Sequence, residues 1–143
     1  ELKVVEDYMY IQRMRFGSRI RWSVDCSRDL CEREVPVFLL QPLVENAVIH
    51  GIADQEEGGA IYIRIREKGE LLWISVADTG AGIPGKHLRE LQEASTLRGK
   101  RLGIGLGNIY RRITAYYDKG RILLDSREGC GTVVQMEFGK RKE

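Results

Sequence analysis

The residue types able to do chemistry gather in three short stretches of the chain. In the first, Leu40-Gln41-Pro42-Leu43-Val44-Glu45-Asn46-Ala47-Val48-Ile49-His50-Gly51, the polar residues Glu45, Asn46 and His50 sit on an otherwise apolar segment. Apolar residues at 40, 43, 44, 47 and 48 follow helical spacing, and Asn46 lies off that stripe, where its amide can meet a ligand or a metal. The second, Asp78-Thr79-Gly80-Ala81-Gly82-Ile83-Pro84, ends a strand pattern. Its glycines let the backbone approach a flat ligand. Its carboxylate only accepts hydrogen bonds, which suits an exocyclic amine such as that of adenine. Alone, these residues serve equally well as a tight turn with no ligand. The third, Gly99-Lys100-Arg101-Leu102-Gly103-Ile104-Gly105-Leu106-Gly107-Asn108, is a glycine-rich loop opening into a helix. Free N–H groups at a helix start suit phosphate oxygens, although such loops also simply cap helices. No G-x-x-x-x-G-K-[ST] occurs, and the loop follows no parallel strand of a βαβ unit, so the P-loop and dinucleotide fingerprints are absent.

The elements that must position these stretches can be read from periodicity. Residues 2–16 carry a helical apolar repeat, with Leu2, Val5, Tyr8, Met9, Ile11 and Gln12 leading into Arg13–Phe16. Ile20, Trp22 and Val24 alternate with polar residues as in a half-buried strand. A helix over Leu40–Gly51 follows, with Pro42 tolerable only in its first turn. After a loop at 53–59, Ile61–Ile65 and Leu71–Ala77 read as strands joined at Lys68-Gly69. Asn108–Tyr117 reads as a helix with Ile109, Ile113 and Tyr116 on one side. The strands Arg121–Ser126 and Thr132–Phe138 close the chain around the Gly129-Cys130-Gly131 turn. Adjoining hairpins and segregated helices predict an α+β fold, a two-layer α/β sandwich with helices on one face of a mixed, mainly antiparallel sheet.

Length and composition bound the function. The 143 residues suit one domain able to bury a core without disulfides or metal. At 43% hydrophobic and 31% charged, the composition is that of an ordinary globular protein. A net charge of +2, with cations scattered among acids, argues against nucleic acid or an anionic membrane as partner. No segment approaches the ~18 consecutive apolar residues of a membrane span. Cys26, Cys31 and Cys130 show no C-x-x-C spacing, which favours a reducing, cytoplasmic setting over a disulfide framework or a zinc site. The chain opens at Glu1 without a methionine, as expected of a piece of a larger protein.

Taken together, in this order and spacing, the three stretches resemble the asparagine box and the two glycine boxes of the Bergerat-fold (GHKL) ATPases. Tyr8–Phe16, Leu40–Ala47 and Gly105–Ile113 resemble the LytS/YesM-type two-component sensor histidine kinases in particular. The resemblance implies the catalytic ATP-binding domain of a bacterial sensor, using ATP and Mg²⁺. Asn46 would coordinate the Mg²⁺ that bridges the phosphates, and Asp78 would accept the adenine amino group. Gly80, Gly82 and Ile83 would shape the adenine pocket, and Thr132 would help close it. Gly103, Ile104, Gly105, Leu106 and Gly107 would hold the phosphates beneath a mobile lid over roughly 86–102. In that lid Arg98, Lys100 and Arg101 could neutralise charge, or form a solvated basic loop.

Residues 1–17 are expected to be the end of an upstream dimerisation and phospho-acceptor region, with the ATP-binding domain at 18–143. The acceptor histidine of such kinases lies in that upstream region. Neither His50 nor His87 has its sequence context, so this chain alone is expected not to phosphorylate itself. The implied partners are ATP, the upstream region of the same protein and a response regulator. The setting is the cytoplasmic side of a membrane-bound homodimer. Three positions depart from related patterns. Ile49 stands where many such kinases carry a phosphate-touching Lys, leaving His50 as a substitute. Pro42 occupies the site of the carboxylate found in the hydrolytic branches. Glu45 points about 100° away from Asn46 around an ideal helix, leaving open a role as base or as partner to the metal site. Two alternatives stand beside this reading: an anti-sigma-factor-type serine kinase, and a nucleotide-binding interaction module without catalysis.

Overall fold

Alternating β-branched and polar residues drive five segments into one sheet, and their apolar parity decides which face is covered. In the computed structural model, which describes residues 1–96 and 104–143, the strands are β1 (Ile20–Cys26), β2 (Gly59–Lys68), β3 (Leu71–Asp78), β4 (Arg121–Arg127) and β5 (Gly131–Phe138). Their order is β1-β2-β3-β5-β4, with β1 parallel to β2 and every other pair antiparallel. Register places Ile63, Val76, Val134 and Leu124 in one row across the sheet, and Ile65, Ile74, Met136 and Ile122 in the next. These rows face the helices. The opposite parity carries Tyr62, Arg64 and Arg66, and Arg66 pairs with Asp25 across the β1–β2 edge.

The helical layer is α1 (Leu2–Phe16), a short α2 (Arg28–Cys31), α3 (Gln41–Asn46), α4 (Gly85–Thr96) and α5 (Ile104–Tyr116). The expected apolar stripe of α3 is borne out, since Leu40, Leu43, Val44, Ala47 and Val48 are all buried. The helix does not continue as α to Gly51, however. Ala47–Ile52 widens into a π-turn, closed by the Ala53 N–H donating to the Val48 carbonyl at 2.8 Å. π-turns often accompany functional sites and leave no periodic mark in a sequence. Val5 and Met9 of α1 are fully buried in the same core as the sheet. Burial of two such side chains contributes roughly 3–6 kcal/mol, enough to hold α1 firmly against α3 and β1.

One further expectation gains detail and another needs correction. The stretch read as the first part of a lid is helical as far as Thr96: α4 lies along β4, with Leu88 buried and Gln92 Nε2 donating to the Leu124 carbonyl at 2.8 Å. The rest of that stretch, 97–102, lies outside the described residues. Helix α5 begins at Ile104 rather than Asn108, so Gly105 and Gly107 belong to the helix itself. Glycine's poor helix propensity suggested a loop, and tertiary packing overrides it. Within α5, Ile109 and Ile113 are buried as expected, but Tyr116 is exposed; just past the helix, Tyr117 packs edge-on against Phe138 at 4.8 Å. Among the described residues, no helix is long and apolar enough to cross a membrane.

Candidate functional site

At one end of the sheet β3 finishes at Asp78, directly opposite Thr132 at the start of β5. The π-turn after α3 crosses this end, and its Gly51 carbonyl accepts the Ala81 N–H at 2.9 Å. A Cβ on Gly80 would lie 2.1 Å from that same carbonyl oxygen, so only glycine allows the two backbones to meet. Gly82 has φ 69, and a Cβ there would lie 2.1 Å from the Arg127 carbonyl oxygen. The D-x-G-x-G stretch is thus a fixed crossing between the π-turn and the β4–β5 hairpin.

Above this crossing is a cleft of about 570 Å³, and Asn46, His50, Asp78, Gly82, Ile83, Leu106 and Thr132 all contribute to its walls. Residues from all three motifs therefore converge on one cavity. Gly80 stands behind Asp78, donating its N–H to the Asp78 carboxylate at 2.9 Å. Burial holds the Asp78 carboxyl above its ordinary pKa, opposed by the N–H groups of Gly80 and Thr132. Glu45 is not part of the cleft wall; it accepts a hydrogen bond from Gln41 Nε2 at 2.9 Å, and its charge is felt by Tyr8 of α1. Ile104, Gly105 and Gly107 lie in the first turns of α5, with Gly107 buried. Lys100, Arg101 and Gly103, with Arg98, lie outside the described residues.

Several residues of the site were not singled out from sequence. Ser126 is the most consequential. Its hydroxyl accepts the Ile83 N–H at 2.8 Å and donates to the Gly131 carbonyl at 2.8 Å. With its one proton committed there, the 2.8 Å contact to Thr132 Oγ1 must use the threonine's proton. Thr132 therefore offers the cleft only lone pairs, beside a carboxylate that also only accepts. Apolar walls come from Val76, Leu124 and Val134, whose parity along their strands was a usable signal, and from Leu91 of α4. The pairing of Leu88 and Leu91, one helical turn apart, was too brief a pattern to reveal α4.

Comparison with known proteins decides the family. The family described as histidine kinase-, DNA gyrase B-, and HSP90-like ATPase matches residues 34–142. The chain belongs to that family. Among curated relatives it is 36% identical over 122 residues to the sensor histidine kinase YpdA of Escherichia coli, covering 84% of this chain and 20% of the relative. It is 28% identical over 144 residues to the sensor protein LytS of Enterococcus faecalis, covering 100% of this chain and 24% of the relative. The chain thus spans between a fifth and a quarter of the length of these sensors, and its kinship within the family is with the LytS type. Among solved structures, the catalytic domain of histidine kinase ThkA superposes with a TM-score of 0.63 at 20% identity, covering 99% of this chain and 95% of that one. This likeness shows the fold, a two-layer α/β sandwich.

Proposed function

We propose that this chain is the catalytic domain of a bacterial sensor histidine kinase, and that the cleft takes ATP with adenine at the sheet end and phosphates toward the helices. The observation that supports this most strongly is the meeting of Asp78, Thr132 and Asn46 on one cavity. Two acceptors side by side suit an exocyclic amine, and the apolar walls of Val76, Leu124 and Val134 suit a flat ring. Asn46 and His50 are the polar groups of the α3 wall, and α5 begins within reach of the same cavity through Leu106. Among the described residues no group of three acidic, histidine or cysteine side chains gathers as a metal cage. A neutral amide oxygen fits a hard cation that is held mainly by substrate phosphates, as Mg²⁺ commonly is. When bound, the metal supplies charge neutralisation. The chain's own residues orient the base and hold the nucleotide.

On this reading the γ-phosphoryl group passes to a ring nitrogen of a histidine outside this chain. The bond to the β-phosphate bridging oxygen breaks, a P–N bond forms, and ADP leaves. Positioning and electrostatics carry most of such a transfer. Pro42 leaves no carboxylate one turn before Asn46 to activate water, which favours transfer over hydrolysis. Glu45, turned toward α1, is the base best placed for an acceptor arriving from that side. The whole protein would then be a membrane-bound homodimer whose cytoplasmic part relays phosphate to a response regulator.

Competition between ATP and GTP tests the adenine assignment. ATP is expected to bind and GTP to fail, because guanine presents a carbonyl to Asp78 and Thr132. Equal binding of the two would refute it. Incubation with γ-labelled ATP should leave the isolated chain unlabelled, and label on His50 or His87 would contradict the external acceptor.

A further inference from the structure

The helix bearing Asn46 begins without a cap of its own, since its N-cap residue is Leu40 and the next residue but one is Pro42. The loop ahead of the helix is instead held from far away in sequence. The Glu1 carboxylate accepts the N–H of Phe38 at 2.8 Å and those of Leu39 and Leu40 at 3.0 Å each. Three successive N–H groups converging on one anion form a nest, which requires a residue in the left-handed region. Phe38 is that residue, at φ 57. Such a conformation costs a non-glycine side chain free energy and persists only when its surroundings impose it. From the other side, Arg112 of α5 donates to the Val37 carbonyl and lies 5.9 Å over the Phe38 ring. The loop leading into α3 is therefore gripped by α1 and α5 together. The aromatic ring itself is largely exposed, so apolar burial does not hold it in place.

We infer that Glu1 is a positioning residue for the metal end of the nucleotide site, acting through α3 on Asn46. This rests on the reading of Asn46 as the residue facing Mg²⁺ and phosphates. Asn46 ends the short α-helical segment that the nest anchors, whereas Asp78 is fixed by the sheet and by Gly80. Loss of the carboxylate leaves three N–H groups converging without a partner, and Phe38 then relaxes toward an ordinary conformation. The start of α3 shifts, and the amide of Asn46 shifts with it. Adenine recognition is untouched. Because Val5 and Met9 lock α1 into the core, a displacement of α1 is transmitted to the same loop.

The test compares the chain with its E1A and E1Q variants by calorimetric titration, once with Mg-ATP and once with ATP in the presence of a chelator, alongside amide hydrogen exchange. E1A should weaken Mg-ATP binding by about fivefold or more, the order of a lost hydrogen bond to a charged group, and leave metal-free binding unchanged. The amides of Phe38, Leu39 and Leu40 should exchange faster, and E1Q, which keeps an acceptor oxygen, should fall between parent and E1A. Faster exchange with unchanged Mg-ATP affinity would overturn the inference, as would an equal loss with and without metal. A parent chain that binds no Mg-ATP at all would instead overturn the nucleotide reading.

Discussion

The two walls of the cleft are built by different means. The sheet wall is cross-linked at strand ends and turns: the Gly80 N–H to the Asp78 carboxylate, Ala81 to Gly51 and Gly129 to Ala81 through backbone, and the Ser126 hydroxyl to both Ile83 and Gly131. Every bond there is short in space and belongs to strand ends or tight turns. The helix wall shares only the Gly51 bond with this lattice. Asn46 and His50 stand where an α-helix gives way to a π-turn, and the loop ahead of that helix is held by Glu1 and Arg112, from elements distant in sequence. A wall that selects a base benefits from rigidity. A wall that must serve changing phosphates can be adjusted from outside, because its anchors lie on other elements.

Changes at the sheet wall should have the largest effects. Gly80→Ala drives a Cβ into the Gly51 carbonyl, and we expect a loss of about 3 kcal/mol or more in urea unfolding, together with loss of nucleotide binding. Retention of parental stability would show that the crossing yields easily and would break the contrast. Asp78→Asn should lower nucleotide affinity by roughly 10–100-fold, as expected when a charged hydrogen-bond partner is removed. The same variant should gain in relative stability as pH rises. Burial raises the folded carboxyl's pKa, so its contribution is present at acid pH and lost as pH climbs through that raised value. Urea midpoints of parent and variant, measured from acid to neutral pH, check the sign.

Smaller effects are expected further from the crossing. Ser126→Ala removes the acceptor of the Ile83 N–H and should cost about 1–2 kcal/mol in unfolding, with a modest loss of ATP affinity. At the helix wall, Ile49 is exposed, so Ile49→Lys should leave stability within about 0.5 kcal/mol. It should raise Mg-ATP affinity only a few-fold, as a rim charge does near phosphate. No change in affinity would indicate that the phosphates lie away from residue 49.

How much of this was legible in the sequence follows the same division. The strand near Ile61–Ile65 announced itself by alternation, with Ile61, Ile63 and Ile65 all buried, and Leu71–Ala77 by its apolar run. The D-x-G-x-G stretch was legible because tight crossings demand glycine. The π-turn at Ala47–Ile52 was not, since it preserves the apolar stripe while changing the pitch. Helix α4 was hidden by a polar composition that resembles a loop, and the first turns of α5 by glycines that helices usually avoid. Glu1 could not be recognised at all. An anchor supplied across the fold obeys no local spacing, and only the meeting of α1 with the loop at Phe38 reveals it.

The central claim is a division of labour, with Asp78 for the base and Asn46 for the metal-bound phosphates. It is tested most directly by calorimetric titration of the parent, Asn46→Ala and Asp78→Ala with ATP, each with and without Mg²⁺. The account predicts that Asp78→Ala loses affinity under both conditions, while Asn46→Ala loses only the increment that Mg²⁺ adds. An Asn46→Ala chain that keeps the full Mg²⁺ increment, or an Asp78→Ala chain that keeps its affinity, would contradict it.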